Sequence, residues 1–311
     1  MTEDQKMLLI AQRSRLCYEE RMGPVLAASA VTVEVAELDV ETSVGKTRLL
    51  IYKPRQMPET ACPVYLNIHG GGFIQGSTRD DDGWCRQIAV AADCAVINIE
   101  YHLAPETKFP RQLEECYDVA RWAAAQSAVF GFDPLRIAVG GSSAGGNFAA
   151  ALCLLAKQRQ DVRFCFQVLN YPPLDFVTDP ETKGDRDALL TARAQAFFTA
   201  CYLRDASDAK NPLASPLLAE DVAGLPPTLV IAAEHDPLRA ENEAYANRLQ
   251  AAGVAVTYKM FAGCMHAFTH VGPEPSATEA WSLIQSSLRQ AFYGKKKKKH
   301  VRKGRRANSW K

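Results

Sequence analysis

The segment Gly141-Ser142-Ser143-Ala144-Gly145-Gly146 stands between an apolar, strand-like run (136–140) and an Ala-rich, helix-like run (144–157). A chain that passes from strand to helix in so few residues must turn sharply, and glycines flanking the serines remove the side chains that would block the turn. The hydroxyl of Ser143 is then thrust clear of the backbone. A second glycine run, His69-Gly70-Gly71-Gly72-Phe73, ends an earlier apolar stretch (63–69). Its N–H groups are unhindered by side chains and can reach an oxygen that gains negative charge. A nucleophile and an oxyanion hole are the two halves of an acyl-transfer site. Phosphate and dinucleotide binding are poor alternatives, because no G-x-x-x-x-G-K-[ST] follows and the glycine spacing is not G-x-G-x-x-G.

A serine hydroxyl is a weak nucleophile near neutrality and needs a base, usually a histidine oriented by a carboxylate. The chain has six histidines. His69 opens the glycine run, His102 precedes the nucleophile, and His300 lies in a basic tail, which leaves His235, His266 and His270 after Ser143. His266 lies in Gly263-Cys264-Met265-His266-Ala267-Phe268, just past the apolar run 254–261, and Asp236 follows the apolar run 228–233. Loops leaving the C-terminal ends of strands are where sites gather in open α/β sheets. Ser143, Asp236 and His266 then stand in the order nucleophile, acid, base. His235 adjoins the acid and reads as an ordinary loop residue. His266 and His270, four apart, could share a helix face as metal ligands, but no H-E-x-x-H, C-x-x-C or third ligand accompanies them. No metal or organic cofactor is predicted.

With these residues in place, the chain resembles the hormone-sensitive-lipase-like branch of the α/β-hydrolase superfamily, which holds many bacterial carboxylesterases. The resemblance spans about residues 31–292 and includes HGGGF at 69–73, a YRLAPE-like segment at 101–106 and GSSAGG at 141–146. It continues through Tyr171-Pro172, Ser215-Pro216-Leu217, Asp236-Pro237-Leu238-Arg239 and the His266 loop. It implies Ser143 as nucleophile, Asp236 as acid, His266 as base, and an oxyanion hole made by the N–H groups of Gly71, Gly72 and Ala144. Three positions depart from the pattern: His102 replaces the usual Arg, Ser142 stands where Asp or Thr is common, and Ala267 follows the base where Gly is usual. None removes a catalytic group.

Strand-like runs recur at 31–38, 47–53, 63–69, 95–100, 136–140, 165–170, 228–233 and 255–261, and helix-like runs at 80–92, 111–127, 144–157, 237–251 and 278–292 separate most of them. The first two runs lack a helix between them and suit an antiparallel edge. The later alternation implies a mostly parallel central sheet flanked by helices, the α/β-hydrolase fold. With 47% apolar residues over its 311 positions, the chain can form one catalytic domain from 1–294. Two segments fall outside the alternation. One is an amphipathic run at 2–21 with Met7, Ile10 and Leu16. The other is a long connection that contains a helix-like run at 187–203 with Leu190, Phe197, Phe198 and Tyr202. In the resembling family these regions form a small helical cap, here about 1–28 and 175–211.

Ten of the 36 basic residues and none of the 35 acidic ones lie in 295–311, which leaves the body 26 basic against 35 acidic groups, a net charge of −9. The tail could bind nucleic acid or an anionic membrane. With no aromatic interleaving, it reads instead as a solvated, disordered extension of the kind an expression vector appends. Nine scattered cysteines form no paired spacing. No secretory leader or membrane-span-length apolar run is visible, which predicts a soluble cytoplasmic protein. The chemistry expected is hydrolysis of small carboxylic esters, with no nucleic-acid partner. An amidase or deacetylase using the same triad and a non-catalytic binding protein on the same fold are the competing readings, and a homodimer stays open.

Overall fold

The computed structural model describes residues 2–22, 31–53, 61–184 and 189–294; the basic tail and parts of the expected cap, 23–28 and 185–188, lie outside the described residues. Eight strands form one sheet: β1 (Glu34–Thr42), β2 (Gly45–Lys53), β3 (Cys62–Ile68), β4 (Ala95–Glu100), β5 (Phe132–Ser142), β6 (Phe164–Asn170), β7 (Thr228–Ala233) and β8 (Val256–Phe261). Their spatial order is β1-β2-β4-β3-β5-β6-β7-β8. The β1–β2 and β2–β4 pairs are antiparallel and the other five are parallel. The antiparallel edge and parallel centre match the sequence reading.

Among the described residues the helices are α1 (Glu3–Met22), α2 (Asp82–Ala91), α3 (Arg111–Ala125), α4 (Ser127–Phe130), α5 (Ala144–Arg159), α6 (Ala192–Tyr202), α7 (Arg239–Ala251), α8 (Phe268–Val271) and α9 (Glu274–Tyr293). α3, α5 and α7 cover one face of the sheet, and α2 and α9 the other. Successive strand residues point to opposite faces. Leu66, Ile97 and Val139 therefore enter the α5-side core, while Tyr65, Val96 and Ala138 enter the α9-side core. Because both faces are covered, the central strands are apolar without alternation. Each fully buried Leu or Ile contributes roughly 1.5–3 kcal/mol.

α1 departs from the expected amphipathic stripe. Ile10 and Leu16 are exposed, Met7 is half-buried and Ala11 is fully buried. The helix is held by polar contacts instead: Arg15 donates to the Ile74 and Ala104 carbonyls and to Glu106, Ser14 to Gln75, and Tyr18 to Asp80. A search for apolar periodicity is blind to such a face.

The parallel register lines up the strand ends. Ile68 pairs with Gly141, Ser142 with Asn170, Asn170 with Ile231, and Ala233 with Phe261. The loops that follow β3, β5, β6, β7 and β8 therefore leave from one edge. At that edge a Cβ on Gly141 or Gly145 would lie 2.2 or 1.9 Å from the Ile68 carbonyl oxygen, well inside contact distance. Gly145→Ala should cost about 1–3 kcal/mol, the usual range for overpacking. Chemical denaturation should show this as a lowered urea midpoint with an unchanged slope.

Candidate active site

Ser143 occupies the turn between β5 and α5 with φ 52° and ψ −119°. A non-glycine residue there costs on the order of 1–3 kcal/mol and persists only where its surroundings hold it. Here Ser143 N–H donates to the Asn170 carbonyl at 2.9 Å, and Asn147 N–H donates to the Ser143 carbonyl at 3.0 Å. The Ser143 hydroxyl points to His266 Nε2 at 2.9 Å, and His266 Nδ1 faces Asp236 Oδ2 at 2.8 Å. The other carboxylate oxygen of Asp236 accepts from Leu238 N–H at 2.9 Å, so the acid is held at both ends. Both side chains are buried. The two loops that bear them are tied by His235 N–H to the Cys264 carbonyl (2.9 Å) and Glu234 N–H to the Phe261 carbonyl (3.0 Å).

The glycine loop after β3 faces the same point. Gly71 (φ 117°) and Gly72 (φ 58°) have backbone angles that side chains rarely adopt. A Cβ on Gly71 would lie 2.0 Å from the Gln75 carbonyl, and one on Gly72 would lie 2.7 Å from the Phe198 ring. Ala144 opens α5, so its N–H has no carbonyl one turn back within the helix. Ser143, His266, Gly71 and Gly72 line a cavity of about 830 Å³ that is also lined by Tyr18 of α1 and Phe198 of α6. Both Phe198 and its neighbour Phe197 pack on the core, but Phe197 is not part of the cavity lining.

A family model for the α/β-hydrolase fold matches residues 65–270. The chain belongs to the α/β-hydrolase family. It is 37% identical over 295 residues to the carboxylic ester hydrolase LipN of Mycobacterium tuberculosis, covering 90% of this chain and 77% of that protein. It is 36% identical to esterase LipI of the same organism, over 84% of this chain and 83% of LipI. The crystal structure of EstE1, a thermophilic carboxylesterase cloned from a metagenomic library, superposes with a TM-score of 0.86 at 35% identity, covering 91% of this chain and 98% of EstE1. This hydrolase accordingly falls in the hormone-sensitive-lipase-like branch.

The three departures from the family pattern are each accommodated. His102 Nδ1 lies 2.7 Å from the buried carboxylate of Glu115, which also accepts from His102 N–H. Ser142 accepts a hydrogen bond from Asn170 Nδ2 at 2.9 Å. Ala267 adopts φ 62°, a left-handed angle that glycine would take more easily. The other histidines separate clearly. His69 stacks on Tyr101, His235 is exposed beside Glu234, and His270 is bonded to Asp81. His266 precedes α8 rather than sharing a helix face with His270. No three His, Cys, Asp or Glu side chains among the described residues are grouped to hold a metal ion. All nine cysteines are unpaired. No helix among the described residues is long and apolar enough to cross a membrane.

Sequence reasoning missed a buried ion pair at the cavity wall, Lys183 Nζ to Glu241 Oε2 at 2.6 Å. Lys183 follows a short 3-10 turn (Pro180–Thr182) in the long β6–β7 connection, while Glu241 lies on α7, so the pair fastens that connection to the body. Its members are 58 residues apart, and no local pattern links them. Burial pushes the Glu241 carboxyl up, to about 7, against the attraction of Lys183 and a hydrogen bond from Leu174 N–H. Between the ordinary carboxylate range and about 7, folded Glu241 retains a proton that the unfolded chain has released. Its contribution to stability is therefore complete in acid and lost as pH rises through that window. Urea unfolding at about pH 5 and about pH 8 should show a smaller loss of stability on alkalinisation in Glu241→Gln than in the parent.

Proposed function

We propose that this carboxylic ester hydrolase is a serine carboxylesterase that acts on short- to medium-chain esters through an acyl-enzyme. The observation that carries the reading is the continuous hydrogen-bonded line from Ser143 through His266 to Asp236, at 2.9 and 2.8 Å. In this mechanism Ser143 Oγ attacks the ester carbonyl while His266 Nε2 takes the hydroxyl proton. Asp236 keeps Nδ1 protonated and stabilises the imidazolium. The carbonyl oxygen becomes an oxyanion received by the N–H groups of Gly71, Gly72 and Ala144. One such donor is typically worth about 10²–10³ in rate. His266 then returns the proton to the leaving alcohol. Water, deprotonated by the same imidazole, attacks the acyl-enzyme and releases the acid.

A non-catalytic binding protein on this fold would not need three aligned groups, and the alignment favours turnover. Ser143→Ala should lower kcat by about 10⁴ or more with the fold intact, whereas Ser142→Ala should be far milder. His266→Ala and Asp236→Asn should each collapse turnover, and His235→Ala should retain most of it. Initial rates on p-nitrophenyl butyrate, with circular dichroism as a fold control, check the set. Full activity in Ser143→Ala or His266→Ala would remove the mechanism.

α1 and residues 175–211 act as a cap in this reading, with Tyr18, Leu190, Phe198 and Leu203 on the cavity wall. Each methylene of an acyl chain gains about 0.8 kcal/mol only while it finds apolar surface to bury. Across a p-nitrophenyl ester series, kcat/KM should peak between roughly two and eight carbons and then fall. Phe198→Ala should move the peak to longer chains and Phe197→Ala should leave it in place. A kcat/KM that kept rising through sixteen-carbon esters would replace the enclosed pocket with a lipase-like site.

A further inference from the structure

A second histidine–carboxylate pair lies in the same cavity wall. His270 Nε2 contacts Asp81 Oδ1 at 2.7 Å, and the two side chains are 9% and 2% exposed. Asp81 also accepts from Asn67 Nδ2 at 2.7 Å. Burial pushes its carboxyl up, but the hydrogen bonds from His270 and Asn67 outweigh this and leave it below the ordinary carboxylate range. The other ring nitrogen of His270 faces the hydroxyls of Tyr171 and Thr269, each at 3.1 Å, and those hydroxyls bond to one another. Thr269 Oγ1 also accepts from Asn170 Nδ2, which donates in turn to Ser142 beside the nucleophile. Trp281 of α9 closes the outer side, its indole N–H on the Thr269 carbonyl at 2.9 Å and its ring 5.7 Å from that of His270. With both nitrogens occupied, His270 is not placed to accept a proton from Ser143.

We propose that the His270–Asp81 pair is a positioning unit for ester hydrolysis, which locks the loop bearing His266 to the loop bearing Gly71 and Gly72. The inference rests on the assignment of Ser143 and His266 as nucleophile and base. His270 belongs to the one-turn helix α8, which begins two residues after His266, while Asp81 ends the 69–81 loop just before α2. One buried hydrogen bond therefore joins the two halves of the site across 189 residues of sequence. The pair also holds the Tyr171 hydroxyl, and the Tyr171 ring meets the His266 imidazole edge-on at 5.0 Å. Loss of His270 takes away one of that hydroxyl's partners, Thr269 Oγ1 being another, and loosens the ring that walls the base. A displacement of about 1 Å in a reacting group can cost on the order of 100-fold in rate.

The test is p-nitrophenyl acetate hydrolysis, with kcat expressed per active site titrated by a p-nitrophenyl phosphonate, so that unfolded protein does not count. His270→Ala should lower kcat per site roughly 10- to 100-fold with KM within about twofold. His270→Gln, whose amide can still reach Asp81, should recover most of the loss. Asp81→Asn/His270→Ala should be no worse than the more impaired single variant, as expected of one coupled unit. If His270→Ala does not fold, Asp81→Asn takes its place under the same criteria. A kcat per site within twofold of the parent, or strictly additive losses in the double variant, would overturn the proposal. Ser143→Ala, which offers no hydroxyl to the phosphonate and is therefore scaled to folded protein by circular dichroism, separates the two levels. Activity there removes the nucleophile assignment itself, whereas a dead Ser143→Ala beside a fully active His270→Ala removes only the positioning role.

Discussion

The carbonyl oxygen of Ile68, at the end of β3, occupies the space where side chains on Gly141 and Gly145 would have to be. That contact brings β3 and the β5–α5 turn closer than ordinary residues allow. Ser143 stands between those two glycines with a positive φ at the head of α5, and the glycine loop that continues from Ile68 runs beside it. A Cβ on Gly70 would already lie 3.1 Å from the Ser142 carbonyl. The proposed nucleophile and the backbone proposed to bind the oxyanion are thus registered by one close approach between two neighbouring parallel strands, before any side chain takes part.

The remaining alignment comes from buried polar contacts rather than apolar packing. Asp236 is held by Leu238 N–H, its loop is tied to that of His266 through backbone bonds between the ends of β7 and β8, and the glycine loop is gripped from outside by Arg15, Ser14 and Tyr18 of α1. Hydrogen bonds are directional, so such a shell fixes orientation where apolar contact would fix only distance. The same low-dielectric surroundings make any unmade bond costly. Burial pushes the Asp80 carboxyl up even with Tyr18 bonded to it.

The cavity unites two chemistries. Phe198, Leu190 and Leu203 present apolar surface from the long β6–β7 connection, while Tyr18, Asp80, Asp81 and His270 present polar groups. Lys183 and Glu241 anchor the apolar part to α7, so the enclosure and the body share a buried ionic contact whose strength depends on protonation.

Much of the molecule was legible along the chain because its signals are local. Apolar runs marked the strands, glycine spacing marked the β5–α5 turn and the loop after β3, and the loops after two apolar runs offered Asp236 and His266 in hydrolase order. The resemblance to the hormone-sensitive-lipase-like branch added the oxyanion donors and the idea of a cap. What only tertiary structure decided was pairing at long range and the direction each side chain takes. α1 buries Ala11 and a polar face while Ile10 and Leu16 stay exposed, because its partners are carbonyls and carboxylates that periodicity cannot register. Phe198 lines the cavity and Phe197 does not, although they are adjacent and both pack on the core, since neighbouring positions on a helix point about 100° apart. His270 meets Asp81 because the sheet brings together loops 189 residues apart, and no local spacing encodes that meeting.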